Sequence, residues 1–379
     1  MDERISALEK RIGVTRLANI TGLDRLGYPV VAAIRPLSRN LSVSFGKGPT
    51  PEIARLSAIM EASELFFSEH PPHVPVTATY AGLLYGSAID PSCLCPAFIN
   101  CNVQSLSLAW VRGRYLRTNQ PVLVPWDLIS MDYSMKARAH RRHFEFGATG
   151  LAAGFDETEA ALHGLYEVIE RDCHNEWNLS SDEKRTDTRV DLDSVVCPEV
   201  CGLLEKIRAA GLTALAWDMT GSSGIPCYLF ELCDLAPGAA TAYVQGAAAS
   251  LSANSALRKA LAEALQVRIT YISGSRDDLD WSDYGDRYAE IVGNREYILS
   301  NSTTARRVVT EWAEKNAGFD LAEVLRRLAR NGLGTAIAVD LTGAAEPVHV
   351  VKIVVPLLKD IQEPVRTAHY PAPLERAVA

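Results

Sequence analysis

No stretch of this 379-residue chain approaches the roughly eighteen uninterrupted apolar residues that a membrane-crossing helix needs. The opening MDERISALEKRIG is charged and amphipathic and has no apolar core, so it does not read as a secretory signal. Positive charge is in deficit. Against 46 Asp and Glu there are 38 Lys and Arg, a formal net charge of −8, which speaks against an electrostatic nucleic-acid binder. The eight cysteines form no CxxC pairs: Cys93 and Cys95 flank one residue, Cys101 follows, and Cys197 and Cys201 lie four apart. Paired-cysteine zinc sites are thereby excluded, and scattered thiols in a long chain without a signal read as buried groups of a cytoplasmic protein. His140 and His143 form an HxxH with no nearby acid, a weak metal pattern better read as surface histidines. A P-loop is also missing, since GxxxxGK[ST] does not occur and Gly46-Lys47-Gly48 is only a fragment of it.

What is present is ordinary globular material, 47% hydrophobic and 22% charged. The basic run Lys136 to Arg142 reads as a solvated loop or helix face, with a grip on an acidic leader peptide or a phosphate as the alternative. Strands are expected over 28–34 and 41–45. A helix then starts at Thr50-Pro51-Glu52, with a capping hydroxyl, a first-turn proline and an acid, and stops at Pro71-Pro72. Residues 74–125 mix turns with strand-like runs at 106–111 and 121–124. A Gly-rich bend at 147–154 leads into a long helix from near Asp156 to before Ser180, followed by a charged surface loop over 181–193. Next come a helix over 199–210, strands at 212–217, 227–233 and 242–249, and a helix capped by Asn254 that runs to Ser273. A last helix (321–330) and strands at 335–339 and 348–354 complete an α+β pattern of antiparallel sheet and packed long helices. With no clear linker, the chain reads as one catalytic unit over 1–379, with a peripheral subdomain around 74–125.

Three helices repeat one feature. The first carries Ser57, Glu61 and Glu64; the second Glu167, Glu170 and Arg171; the third Glu263, Gln266 and Arg268. In each, polar groups three residues apart share a face and sit among apolar neighbours. Half-buried carboxylates repel one another unless a cation or a partner neutralises them. Carboxylate oxygens suit a hard cation such as Mg²⁺, and guanidinium forks suit phosphate oxygens, so acids plus arginines describe a nucleotide site. Two alternatives use the same residues. A dimetal hydrolase would want histidine ligands, and only His174 is available near the second pair. A structural role would pair the acids with Arg55, Arg171 or Arg268 between helices.

The block Arg11 to Gly48 resembles the start of YcaO-domain proteins. The resemblance continues in order through SAIMEASE (57–64), VPWDLI (124–129), GLAAG (150–154), EVIERD (167–172), EALQVR (263–268) and SGSRDDL (273–279). It implies a YcaO-type fold, with ATP and Mg²⁺ as cofactors. By position, Glu61, Glu64, Glu167 and Glu170 look like the Mg²⁺ carboxylates, with Glu167, Glu170 and Arg171 nearest the chemistry. Ser57, Gln266 and Arg268 look like nucleotide contacts, and Arg16, Lys47 and Arg276 are further candidates in matching blocks. Two departures stand out: Leu65 follows Glu64 where the family usually has arginine, and Ala148-Thr149 and Phe155 alter the Gly-rich bend.

The implied activity is ATP-dependent phosphorylation of a backbone amide in a precursor peptide or protein, followed by nucleophilic attack. Azoline-forming relatives commonly end in a PxPxP-like tail. Here Pro371 and Pro373 lie in HYPAPLERAVA and are followed by further residues, and no fused leader-recognition domain is seen. Both features point to a separate partner, TfuA-like or leader-recognising, and to thioamidation ahead of azoline formation. Peptide cleavage, amidine formation and a non-catalytic scaffold rank lower. The resemblance also allows a homodimer.

Overall fold

The computed structural model describes residues 2–84, 86–94, 103–138, 143–144, 147–234, 243–279, 284, 307–309, 320–356 and 358. The proline-bearing tail, Cys95, Cys101 and residues 139–142 of the basic run lie outside them; the start of that run lies in a short helix, α3 (Met135–Arg138).

After an N-terminal helix, α1 (Asp2–Arg11), strands β1 (Arg16–Asn19), β2 (Val30–Ile34) and β3 (Val43–Lys47) form an antiparallel sheet in that order, leading into α2 (Pro51–Glu69). The same plan recurs late in the chain. Strands β8 (Thr213–Asp218), β9 (Cys227–Cys233) and β10 (Tyr243–Ala249) form a second antiparallel sheet of three, leading into α7 (Ala253–Ser273). Between them stands a six-stranded sheet. Its path runs β4 (Val76–Thr79), β5 (Ser107–Tyr115), β11 (Ile337–Asp340), β12 (His349–Val354) and β7 (Leu151–Gly154), with β6 (Pro121–Pro125) paired to β5. Strand β7 leads into α4 (Glu157–Asn178). Residues 74–125 thus contribute three strands, β4 to β6, to the sheet that also holds β7, β11 and β12.

The sheets and long helices alternate around a ring. Helix α2 packs between β3 of its own sheet and β7; α4 between β7 and β12 of its own sheet and β10; α7 between β10 and β9 of its own sheet and β3. Side-chain alternation makes this arrangement work, because successive residues of a strand face opposite sides. In β2, Val31 and Ala33 face the core shared with α2, while Val30 and Ala32 meet Ile269 of α7. In β9, Leu229 faces the α4 side and Phe230 the α7 side. A sheet buried on both faces needs this near-continuous apolar composition. Small residues let the helices sit close: Ala54 and Ala58 on α2, and Ala260 and Ala264 on α7, are fully buried. At both seats the strand residue beneath is glycine. A Cβ on Gly46 would lie 1.9 Å from Ala58 N, and one on Gly246 would lie 2.1 Å from Ala264 N.

Local signals explain the helix starts. Thr50 Oγ1 accepts from Ile53 N–H at 3.3 Å and Asp156 Oδ1 from Glu159 N–H at 2.8 Å. Three details differ from the sequence reading. The cap of α7 is Ser252, which accepts from Ser255 N–H at 3.2 Å, not Asn254. The Gly-rich bend contains strand β7, too short and too rich in small residues to announce itself. Within the expected loop after α4, Asp182–Asp187 forms a short helix, α5, capped by Ser181. Two helices complete the elements used below: α6 (Pro198–Ala209) and α8 (Leu321–Arg330).

Candidate active site

The ring directs one polar stripe from each of its three long helices toward a common centre. Glu61 and Glu64 come from α2, Glu167 and Glu170 from α4, and Glu263 from α7. The charge of one acid is felt by neighbours on other helices. The Glu61 carboxyl is pushed up to about 7, chiefly by burial, with Glu263 adding to the rise and Lys47 and Arg276 opposing it. Burial and then Glu61 hold Glu64 well above the usual carboxylate range, with Glu167 adding to it. Glu167 is raised by burial against the pull of Arg171 and Lys352. Glu170 is raised strongly by burial, opposed by Arg171 and reinforced by Glu263 and Glu167. Glu61, Glu64 and Glu167 keep partial exposure despite this desolvation, as side chains lining a concavity do.

Backbone and cationic groups orient the acids. Ala153 N–H donates to Glu64 Oε1 at 2.8 Å, and Gly150 N–H to Glu167 Oε2 at 3.1 Å, so β7 and the glycine before it hold one acid from each of two helices. Lys47, the last residue of β3, places Nζ 3.8 Å from Glu263 Oε2 and donates its backbone N–H to Ser57 Oγ at 3.3 Å. Arg171 sits beside its own helix's pair, 3.7 Å from Glu167 Oε1 and 3.6 Å from Glu170 Oε1. Gln266 Nε2 donates to Phe45 O at 3.0 Å. Its Oε1, like Glu170 Oε1, is buried with no hydrogen-bond partner among the described residues. Unsatisfied buried acceptors beside mutually repelling carboxylates call for a cation or a donor-bearing ligand.

The residues therefore fit Mg²⁺ and a polyphosphate. Among the described residues no three His, Cys, Asp or Glu side chains are drawn into a closed metal cage. That accords with Mg²⁺ chemistry, which uses one or two carboxylates and leaves the remaining positions to water and phosphate. Of the arginines a structural pairing would use, Arg55 pairs with Glu9 at 2.7 Å, Arg268 turns elsewhere, and Arg171 lies beside the two acids of its own helix. His174, the one histidine a dimetal hydrolase could use here, stays neutral with its affinity for protons lowered to about 4 by burial and by Arg171.

Of the sequence candidates, Ser57, Lys47, Gln266, Arg171 and all four paired glutamates meet at the centre. Arg276 joins at the margin: it pairs with Asp278, its Nε 2.7 Å from Oδ1, and is felt by Glu61. Two do not join. Arg16 stands exposed at the head of β1 with no ion pair among the described residues. Arg268 is 3% exposed and bridges Asp24, at 3.2 Å from Nε, and Asp234, at 3.2 Å from Nη2. It ties α7 to the segment before β2 and to the end of β9. Of the departures, Leu65 packs against the core around α2, and Phe155 is exposed.

Sequence reasoning passed over Glu263 as a carboxylate of the site, although it quoted the motif that holds it. It also missed Lys352, a buried cation on β12 that lowers Glu167. A single lysine within the apolar run HVVKIVV was the available signal.

Comparison with known proteins identifies the family. The family model that matches, over residues 45–359, is the YcaO cyclodehydratase family, ATP- and Mg²⁺-binding. An uncharacterised protein of Methanothermobacter thermautotrophicus is 31% identical over 92% of this chain and 90% of its own. A Rhizobium leguminosarum bv. trifolii protein, named for its place in the tfuA 3′ region, is 31% identical over 92% of this chain and 84% of its own. The fold matches YcaO from Methanopyrus kandleri bound with AMPPCP and Mg²⁺, at TM-score 0.64 and 23% identity, covering 94% of this chain and 91% of that one. It also matches a heterocyclase in complex with substrate and cofactor, at TM-score 0.74 and 21% identity, covering 92% of this chain; the chain spans 50% of that heterocyclase's length. Among the described residues no helix is long and apolar enough to cross a membrane. With the family model spanning most of the sequence and relatives above 30% identity along nearly all of it, the chain belongs to the YcaO family, whose domain binds ATP and Mg²⁺.

Proposed function

We propose that this protein phosphorylates the oxygen of a backbone amide in a ribosomally made peptide or protein, and that sulfide then replaces that oxygen to give a thioamide, with a TfuA-like partner protein. The observation that carries the enzymatic reading is the convergence of Glu61, Glu64, Glu167, Glu170 and Glu263 from three helices on one concave centre rimmed by Lys47 and Arg171. Burial, with neighbouring acids adding to it, raises the proton affinity of Glu61, Glu64, Glu167 and Glu170, a cost without purpose in a scaffold and useful for holding Mg²⁺.

ATP, when bound, supplies the phosphoryl group, with Mg²⁺ screening its charge. The glutamates are the ligands available to the metal. Lys47 and Arg171 provide fixed positive charge for phosphate oxygens, a positioning and electrostatic role. Gln266 Oε1 and Ser57 offer polar contacts beside the same centre. In the substrate, a phosphorylated amide oxygen becomes a leaving group: the nucleophile adds at the carbonyl carbon and phosphate departs with the original oxygen. The relative from the tfuA 3′ region supports sulfide as the nucleophile and a TfuA-like partner. Likeness to a heterocyclase favours a second reading, in which a Cys, Ser or Thr side chain of the substrate attacks and an azoline forms.

The test is mass spectrometry of a candidate peptide encoded beside this gene, incubated with the protein, ATP, Mg²⁺, sulfide and the neighbouring TfuA-like protein. A mass gain equal to sulfur replacing oxygen supports thioamidation, and loss of one water supports the azoline. Glu167→Gln should abolish either change. An absence of nucleotide binding and of ATP consumption, with the partner present, overturns the proposal.

A further inference from the structure

A second feature lies outside the acidic centre. Helix α8 lays one stripe, Leu321, Ala322, Leu325, Arg326, Ala329 and Arg330, along a groove of about 650 Å³. The groove's other wall is Leu116 and Arg117, just beyond β5. Residues four apart along a helix share a face, so the two adjacent rows Leu321, Leu325, Ala329 and Ala322, Arg326, Arg330 run the length of α8. Its chemistry is divided: Leu116, Leu321, Leu325 and Ala329 form an apolar floor, and arginines stand on the rim. Within the helix Glu323 neutralises Arg326 and Arg327, with Arg327 Nε 2.7 Å from Glu323 Oε1. Arg117 and Arg330 are exposed and have no ion pair among the described residues. A chain of net charge −8 therefore carries a locally basic, apolar-floored groove.

We infer that this groove binds an acidic, leucine-bearing peptide segment in helical form, such as the recognition part of a peptide substrate. Charge complementarity selects the occupant: a helix with leucines on one side and glutamates at its flanks would cover the floor and meet Arg117 and Arg330 on the rim. The site is placed to matter for turnover. Helix α8 packs on α4, the helix that carries Glu167 and Glu170. A peptide held here is tethered beside the helix that carries two of the acids, which raises the local concentration of its reactive part. The inference rests on the reading of this protein as a peptide-modifying enzyme.

The test uses the full chain and a fluorescein-labelled helical peptide built of Glu, Leu and Ala, followed by fluorescence anisotropy. Two variants probe the two halves of the recognition: Arg117→Glu with Arg330→Glu reverses the rim, and Ala322→Trp fills the groove without changing charge. Each should weaken binding about ten-fold or more, and replacing the peptide's leucines by serine should do the same. Lys206→Glu on α6, an exposed charge away from the groove, should leave binding unchanged. Equal binding by wild type and both groove variants, or none by wild type, overturns the inference. So does a wild-type dimer that Ala322→Trp converts to monomer, since a second copy would then fill the groove. Nucleotide binding, measured in the same samples, should persist in every variant. Its absence from the wild type would sink the enzymatic reading while leaving the groove measurable.

Discussion

Lys47 at the end of β3 reaches Glu263 on α7 across 3.8 Å, joining the first sheet to the last of the three acidic helices. The same ammonium lowers the proton affinity of Glu61, Glu64 and Glu170, so one cation is shared by carboxylates of α2, α4 and α7. Lys47→Met removes that charge and keeps the stem. The expected result is a drop of about ten- to a hundred-fold in kcat/KM for ATP, or roughly 1.4–2.8 kcal/mol of transition-state binding. Steady-state kinetics across ATP concentrations checks it, and unchanged kcat/KM would remove Lys47 from the site.

Proton linkage gives a second prediction. The folded-state proton affinities of Glu61, Glu64, Glu167 and Glu170 are all raised, that of Glu61 to about 7. Between the ordinary carboxylate range and the raised values the folded state holds more protons than the unfolded chain. Stability of the ligand-free protein therefore falls as pH rises through that window, for Glu61 from about 4.5 to about 7. Glu167→Gln removes one of the repelling charges, so it should flatten the decline in Tm while turnover is lost. A divalent cation takes the place of the protons, so titrating Mg²⁺-ATP into the protein near pH 7 should release protons into weak buffer. A Tm that climbs with pH over this range would contradict the assignment of these acids as unneutralised.

How far the sequence revealed the site follows from the kind of signal each residue gives. ExxE spacing on a helix is readable because two carboxylates three apart must share a face, and Thr50-Pro51-Glu52 is readable because capping chemistry is local. The meeting of α2, α4 and α7 was beyond spacing alone: it depends on sheets that are apolar on both faces and on glycines beneath the helices. Strand β7 was hidden because Leu151–Gly154 is four small or apolar residues inside a glycine-rich stretch. Arg268 misled for a related reason. An arginine in an ExxQxR pattern carries no mark of which direction it points, and its partners Asp24 and Asp234 are distant in sequence.

That buried bridge yields a third prediction. Arg268→Met takes the guanidinium from Asp24, 8% exposed, while Asp234, 3% exposed, keeps Arg25 at 2.9 Å. Removing one partner of a buried ion pair typically costs about 3–5 kcal/mol. Urea denaturation should show a loss of that order, and neutralising both acids in the same chain, as Asp24→Asn and Asp234→Asn, should recover part of it. Loss of nucleotide affinity with stability intact would instead assign Arg268 to the nucleotide.

The seating of α7 on β10 can be tested with a matched pair of substitutions. Gly246→Ala puts a methyl group 2.1 Å from Ala264 N and 2.5 Å from Ala260 O, backbone atoms that can yield only by lifting the helix. Overpacking of this kind costs about 1–3 kcal/mol and more where backbone must move. Because Glu263 and Gln266 flank Ala264 on the helix, lifting α7 should also weaken Mg²⁺-ATP binding. Gly202→Ala on α6 is the control: nothing lies within 4 Å of the new methyl. A mid-helix glycine replaced by alanine should gain about 0.5–1 kcal/mol. Urea midpoints moving in opposite directions, with nucleotide affinity falling only for Gly246→Ala, would tie the acidic centre to the close approach of helix and strand. Equal, small effects from both would mean that the ring tolerates a looser α7 and that the site does not depend on how tightly the helix is seated.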